Sequence, residues 1–131
     1  VVEVAKTTKK DGISSLKDPI TRDELIKLLI DQKAIYLGER RATFNELCID
    51  FPNSLPLSSK LRMTEFSRRL RQYALTVQGA AAAVYVGDKK AIQSGFWQRA
   101  YLNNFSTTIG GGTSQIQANI VGEHVLGLPK D

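Results

Sequence analysis

The sequence predicts an all-α fold, an up-down bundle of the four-helix kind, and three observations predict it. Apolar residues recur at steps of three and four, as in Leu25, Leu28, Leu29, Ile35 and Tyr36. No segment alternates convincingly at period two, and no internal repeat stands out. Helix punctuation is plentiful, with Asp18-Pro19 to open and Asp11-Gly12 and Gly127-Leu128-Pro129 to close.

The elements follow in order. Val1 to about Lys10 reads as the tail of a helix whose beginning is missing, stopped at Asp11-Gly12. Ser14 to Asp18 is a loop. Asp18 caps the next helix and Pro19 occupies its first position, where a missing N–H costs nothing. That helix is expected to reach about Ile49, roughly thirty residues and ~45 Å at 1.5 Å each. Phe51 to Pro56 is a breaker cluster. A third helix, capped by Ser58 or Ser59, carries Leu61, Phe66, Leu70, Tyr73, Ala74 and Val77 inward. Gln78 to Ala83 switches to very small residues, which permit close backbone approach. Tyr85 to Ser94 is a connection, and Phe96 to about Asn104 is a short helix anchored by Trp97. The Thr107–Thr108 pair and the glycines are expected to break it. The last helix is placed from about Thr113 to Leu126.

Composition narrows the function classes. With 131 residues and 42% hydrophobic content, the chain is one domain or part of one and is not disordered. No apolar run approaches the ~20 residues of a membrane span, and VVEVAKTTKK at the start has no secretory h-region. Cys48 is the only cysteine, which excludes an internal disulfide and suits a cytoplasmic location. Cys48 reads as a small buried hydrophobe near a helix end, and His124 is far from it, so neither a metal site nor a thiol nucleophile is expected. The net charge of +5 permits nucleic acid or an anionic cofactor. The cations are dispersed, however, in Lys9–Lys10, Arg40–Arg41 and Arg68–Arg69 with Arg71, as on solvated helix faces. No recognition-helix motif is present, so a nucleic-acid partner is not expected.

One stretch goes beyond what a helical core requires. Gly110 to Gly112 precede Thr113 and Ser114, and then a helix with Ile116, Ile120, Val121 and Val125 on one face. The order loop, cap, helix presents free backbone N–H groups beside glycines that let a ligand come close. Thr108-Ile109-Gly110-Gly111-Gly112-Thr113-Ser114-Gln115-Ile116-Gln117, followed by Asn119-Ile120-Val121 and Val125-Leu126-Gly127-Leu128-Pro129, closely resembles the C-terminal signature of the acyl-CoA dehydrogenases. Asp18-Pro19 with Arg22, Gln78-Gly79-Ala80 and Tyr101-Leu102 resemble further family positions. On this resemblance, residues 1–131 form the family's C-terminal helical domain, entered inside its first long helix. The N-terminal helical and middle β domains are absent from the sequence.

The resemblance implies an oxidoreductase of fatty acid or lipid metabolism that binds FAD between domains and across a subunit interface. Carried over by motif, Thr113 and Gln115 are implied FAD contacts, and Gln78 and Gly79 are implied to reach the FAD of a neighbouring subunit. The reaction implied is α,β-desaturation of an acyl-CoA thioester, with a carboxylate taking the α-proton. An electron-transfer flavoprotein is the implied acceptor and a homo- or hetero-oligomer, dimer or tetramer, the implied assembly. No catalytic residue is nominated, because the glutamate that many members carry in this loop is replaced by Gly111. Neither Glu3 nor Glu123 stands at a family position for the base. Two alternatives stay open: the base lies upstream of Val1, or the chain is a non-catalytic structural subunit of a mixed oligomer. Either way the isolated chain is expected to be inactive.

Overall fold

A computed structural model of the chain describes residues 1–49 and 54–130. The helices are α1 (Val2–Thr7), α2 (Pro19–Arg41), α3 (Ser54–Gln78), α4 (Phe96–Ile109) and α5 (Ser114–His124), with a two-stranded hairpin of β1 (Lys9–Lys10) and β2 (Ile13–Ser14) after α1. α3 is the central element: α1, α2, α4 and α5 all pack on it. α2 runs antiparallel to α3, as three contacts along the pair show. The Tyr73 hydroxyl donates to the Thr21 carbonyl at 2.6 Å, Arg69 pairs with Asp31 at 2.7 Å, and the Arg62 guanidinium lies over Gly38. α4 is antiparallel to α3 as well, with Gln98 donating to Gln78 and Arg71 donating to Asn104. The all-helical architecture expected from the sequence is therefore present.

The buried apolar cluster joins Val4 and Ala5 of α1 to Val77 of α3, with Leu16, Tyr73 and Trp97 packed around it. Trp97 donates its indole N–H to Gln93 at 2.7 Å, so its polar edge is satisfied while its rings cover the core. Cys48 is buried and its thiol faces the Arg41 carbonyl at 3.6 Å, as a small hydrophobe beside a helix end. Among the described residues, no helix is long and apolar enough to cross a membrane.

Several boundaries differ from the sequence expectation. The first helix ends at Thr7, and Asp11-Gly12 does not cap it but turns a hairpin. Both residues have positive φ, +53° and +79°, the signature of a two-residue hairpin turn of the primed type. Strands of two residues are too short for an alternation pattern to register. The second helix ends at Arg41 rather than Ile49. Thr43 takes the Arg40 carbonyl with its hydroxyl at 2.7 Å, and Phe44 turns extended. Phe44, Leu47 and Ile49 beyond it are exposed.

The third helix begins at Ser54, so Ser58 is not its cap: its hydroxyl donates back to the Ser54 carbonyl at 2.6 Å. Pro56 sits in the first turn, where no N–H is needed. Phe51 to Asn53 of the breaker cluster lie outside the described residues. The fourth helix passes through Thr107 and Thr108 to Ile109. Both hydroxyls donate to carbonyls three residues back, at 2.7 and 3.0 Å, and so fold into the helix instead of ending it.

The expected caps at the other starts are present. Asp18 accepts from the Thr21 backbone N–H at 3.1 Å and from its hydroxyl at 2.7 Å. Replacing Asp18 with alanine is expected to lower the unfolding free energy by about 1 kcal/mol. Val4→Ala, at a position with no solvent exposure, is expected to lower it by about 2 kcal/mol through lost transfer energy and a residual cavity. Urea unfolding of the two variants checks both values and their order.

Candidate functional site

The two groups of residues singled out from the sequence lie along α3 but far apart. The first is the glycine loop between α4 and α5. Gly110 closes α4, its N–H donating to the Ser106 carbonyl at 2.8 Å. Gly111 and Gly112 then take φ of +68° and +96°, which side chains adopt rarely. At Gly112 a Cβ would also stand 2.9 Å from the Gln117 amide nitrogen. Thr113 caps α5, its hydroxyl oxygen accepting from the Ile116 N–H at 3.3 Å. The hydroxyl proton of Thr113 and the backbone N–H groups of Ser114 and Gln115 have no acceptor among the described residues. Gln115 is exposed and its amide makes no hydrogen bond there.

The loop is held from beneath by α3. Lys60 donates its ammonium to the Gly112 carbonyl. Ser114 donates its hydroxyl to Glu65 at 2.6 Å, and the other Glu65 oxygen accepts from Arg68 at 3.1 and 2.9 Å. The Ser114 hydroxyl holds the Glu65 carboxyl below the usual range against the opposing effect of burial, with Arg68 a lesser contributor. From within α5, Gln117 donates to the Gly111 carbonyl at 2.8 Å. Thr113 and Gln115 are thus brought together at a helix start with unused donors, on a loop whose carbonyls are tied down.

The second group is Gln78 and Gly79, at the far end of α3. Glu65 and Gln78 are separated by about 20 Å along the helix at 1.5 Å per residue. Gln78 is 3% exposed, and its side-chain oxygen accepts from Gln98 at 3.0 Å. Its side-chain nitrogen is buried without a partner among the described residues, and so is the Thr8 hydroxyl. Both residues line one open cleft of about 880 Å³ between the Lys9–Lys10 hairpin and the end of α3. Gly79, also on the cleft, has φ +57° and nothing within 4 Å of where a Cβ would stand. The structure therefore separates the two groups into two donor sets, one per end of α3.

The glycine loop holds no free carboxylate suited to abstracting a proton among the described residues. Gly111 has no side chain, and Glu65 is engaged by two donors with a depressed pKa, the reverse of what a general base needs. Lys60, Glu65 and Thr8 were not singled out from the sequence. No local signal marks the first two, since Lys60 and Glu65 reach the loop across 52 and 49 positions.

The sequence and the fold both have known relatives. Residues 1–126 match the family model described as acyl-CoA dehydrogenase, C-terminal domain. Two proteins named acyl-CoA dehydrogenase IpdE1 align over the whole chain, at 31% identity in Mycolicibacterium smegmatis and 30% in Mycobacterium tuberculosis. The chain spans 30% and 31% of the length of these relatives. Among solved structures, the ChsE4–ChsE5 complex from Mycobacterium tuberculosis superposes with a TM-score of 0.80 over 99% of this chain and 33% of that one, at 23% identity. The Tcur3481–Tcur3483 steroid ACAD superposes with a TM-score of 0.72 over 88% of this chain and 30% of that one, at 20% identity.

The Glu65 carboxyl has a testable signature. A carboxyl whose folded pKa lies below its unfolded one, ordinarily about 4.3, contributes stability that is fully present above that value. The contribution is lost as pH falls through the depressed folded value. Unfolding free energy measured between pH 7 and pH 3 should thus fall less steeply in Glu65→Gln than in the parent chain. Identical slopes would contradict the assigned ionisation.

Proposed function

The chain belongs to the acyl-CoA dehydrogenase family, whose C-terminal domain it matches, and from that premise we propose that it is the FAD-binding and oligomerisation domain of an FAD-dependent enzyme. The reaction proposed is α,β-desaturation of acyl-CoA thioesters. The observation that carries the reading is the tethered glycine loop, with Thr113, Gln115 and two unpaired N–H groups at the start of α5. A flavin dinucleotide fits this donor set, because its diphosphate and ring acceptors suit a helix N-terminus lined by a hydroxyl and an amide. The second set would meet a cofactor through the open Gly79 backbone, beside a buried Gln78 nitrogen and Thr8 hydroxyl that have no partner among the described residues. Bound FAD supplies the hydride acceptor. Thr113 and Gln115 would bind and orient it from this chain, while Gln78 and Gly79 would meet the cofactor of a neighbouring copy.

Oligomerisation is supported by the surface. Ile20 and Ile30 of α2 and Leu102 and Ile109 of α4 are each more than half exposed, apolar surface that a neighbouring copy would cover. An electron-transfer flavoprotein as acceptor and a reducing cytoplasm, which suits the lone Cys48 thiol, belong to the same reading. A second reading is favoured by Gly111: the chain is part of a non-catalytic subunit of a hetero-oligomer. The two solved relatives are complexes of two different chains, which supports it.

Three outcomes are expected. The purified full-length protein should show a flavin absorbance spectrum, and a colourless protein that takes up no added FAD would count against the cofactor site. Residues 1–131 alone should reduce no dye with straight-chain or steroid acyl-CoA thioesters, for want of a base in the loop. They should also self-associate on size exclusion, and a strictly monomeric profile would remove the oligomerisation part of the reading. Acyl-CoA binding without turnover by the full-length protein would favour the second reading over the first.

A further inference from the structure

We infer that Lys60 and Glu65 of α3 are positioning residues that set the orientation of the glycine loop for its ligand, an inference that rests on the cofactor reading above. Three consecutive glycines have more conformational freedom than any other tripeptide, so the run cannot hold one geometry through its own side chains. Three outside groups hold it. Lys60 takes the Gly112 carbonyl and Gln117 the Gly111 carbonyl. Glu65 takes the Ser114 hydroxyl just beyond.

Peptide planarity converts these contacts into ligand geometry. In a trans peptide the C=O and N–H point to opposite sides. With the Gly112 carbonyl turned to Lys60, the Thr113 N–H faces away from α3. With the Gly111 carbonyl turned to Gln117, the Gly112 N–H faces away from that amide. The loop donors are thereby aimed before a ligand arrives, which reduces the ordering cost of binding.

Electrostatics point to the same role. A cation beside a helix N-terminus opposes the helix dipole, so Lys60 gains nothing from α5 itself, and its partner is the loop carbonyl. Glu65 sits one helical turn and a little further along α3 and answers a different atom. The loop is therefore pinned at two points rather than one, which fixes its rotation as well as its position.

The test compares Lys60→Met and Glu65→Leu with the conservative Lys60→Arg and Glu65→Gln, all in the full-length protein. Two quantities are read: hydrogen exchange of the peptide covering residues 110–117, and the dissociation constant for FAD. Global melting is recorded alongside to normalise the exchange. Lys60→Met and Glu65→Leu should speed exchange in that peptide and weaken FAD about tenfold or more, the size of one charge-assisted hydrogen bond. The conservative pair should restore most of both. Faster exchange with unchanged FAD affinity would make the two residues merely structural and overturn the inference. So would unchanged exchange. A parent protein that binds no FAD would instead overturn the cofactor reading, and this inference with it, whereas FAD bound equally by the parent and by Lys60→Met overturns this inference alone.

Discussion

Packing against α3 is the constraint on which the rest of the structure depends. Each of the other four helices reaches it, and small residues are buried in the packing around it. Ala74 is fully buried on α3 and Ala5 on α1. At Gly38 of α2 the missing side chain leaves room for the Arg62 guanidinium. A larger residue at Ala5 or Ala74 would overpack a buried position, and one at Gly38 would displace the Arg62 guanidinium. Because α3 runs for 25 residues, it also sets the spacing of the groups packed along it. It sets the glycine loop at Lys60 and Glu65 and the small-residue segment at Gln78, and it fixes the distance between them.

The interior along α3 is unusually polar for so small a core. Asn104, Gln98, Gln78 and Ser15 are buried together with only a handful of apolar side chains. Asn104 accepts from Arg71, and its amide nitrogen has no partner among the described residues. Buried amides without partners are costly, and many large hydrophobic side chains remain outside. Both features fit a domain whose stability is shared with neighbours, since the apolar area it buries by itself is modest. The polar contacts between helices then serve to fix register, a job that a smooth apolar seam does poorly.

How much of this was legible follows the range of each interaction. Asp18 and Thr113 cap their helices as expected, because a cap is a contact over three residues. Asp11-Gly12 was legible as a turn but not as a hairpin, because the pairing strands hold two residues each. Thr107 and Thr108 misled, because a threonine that bonds back to its own helix looks the same in sequence as one that ends it. Thr113 and Gln115 were marked by their place in a motif. Lys60 and Glu65 were not, since nothing near them in the chain tells what lies across the bundle.

By itself the sequence determined the helical class, the Asp18 and Thr113 caps, the glycine loop and the family. All four rest on periodicity, short-range hydrogen bonding or contiguous motif. Only the tertiary structure decided which end of α3 each candidate residue occupies and that Gln78 is turned inward. It also decided that the loop carbonyls are tied to Lys60 and Gln117. Those facts depend on contacts between positions up to 52 apart, and such contacts exist only once burial against α3 has brought the helices together.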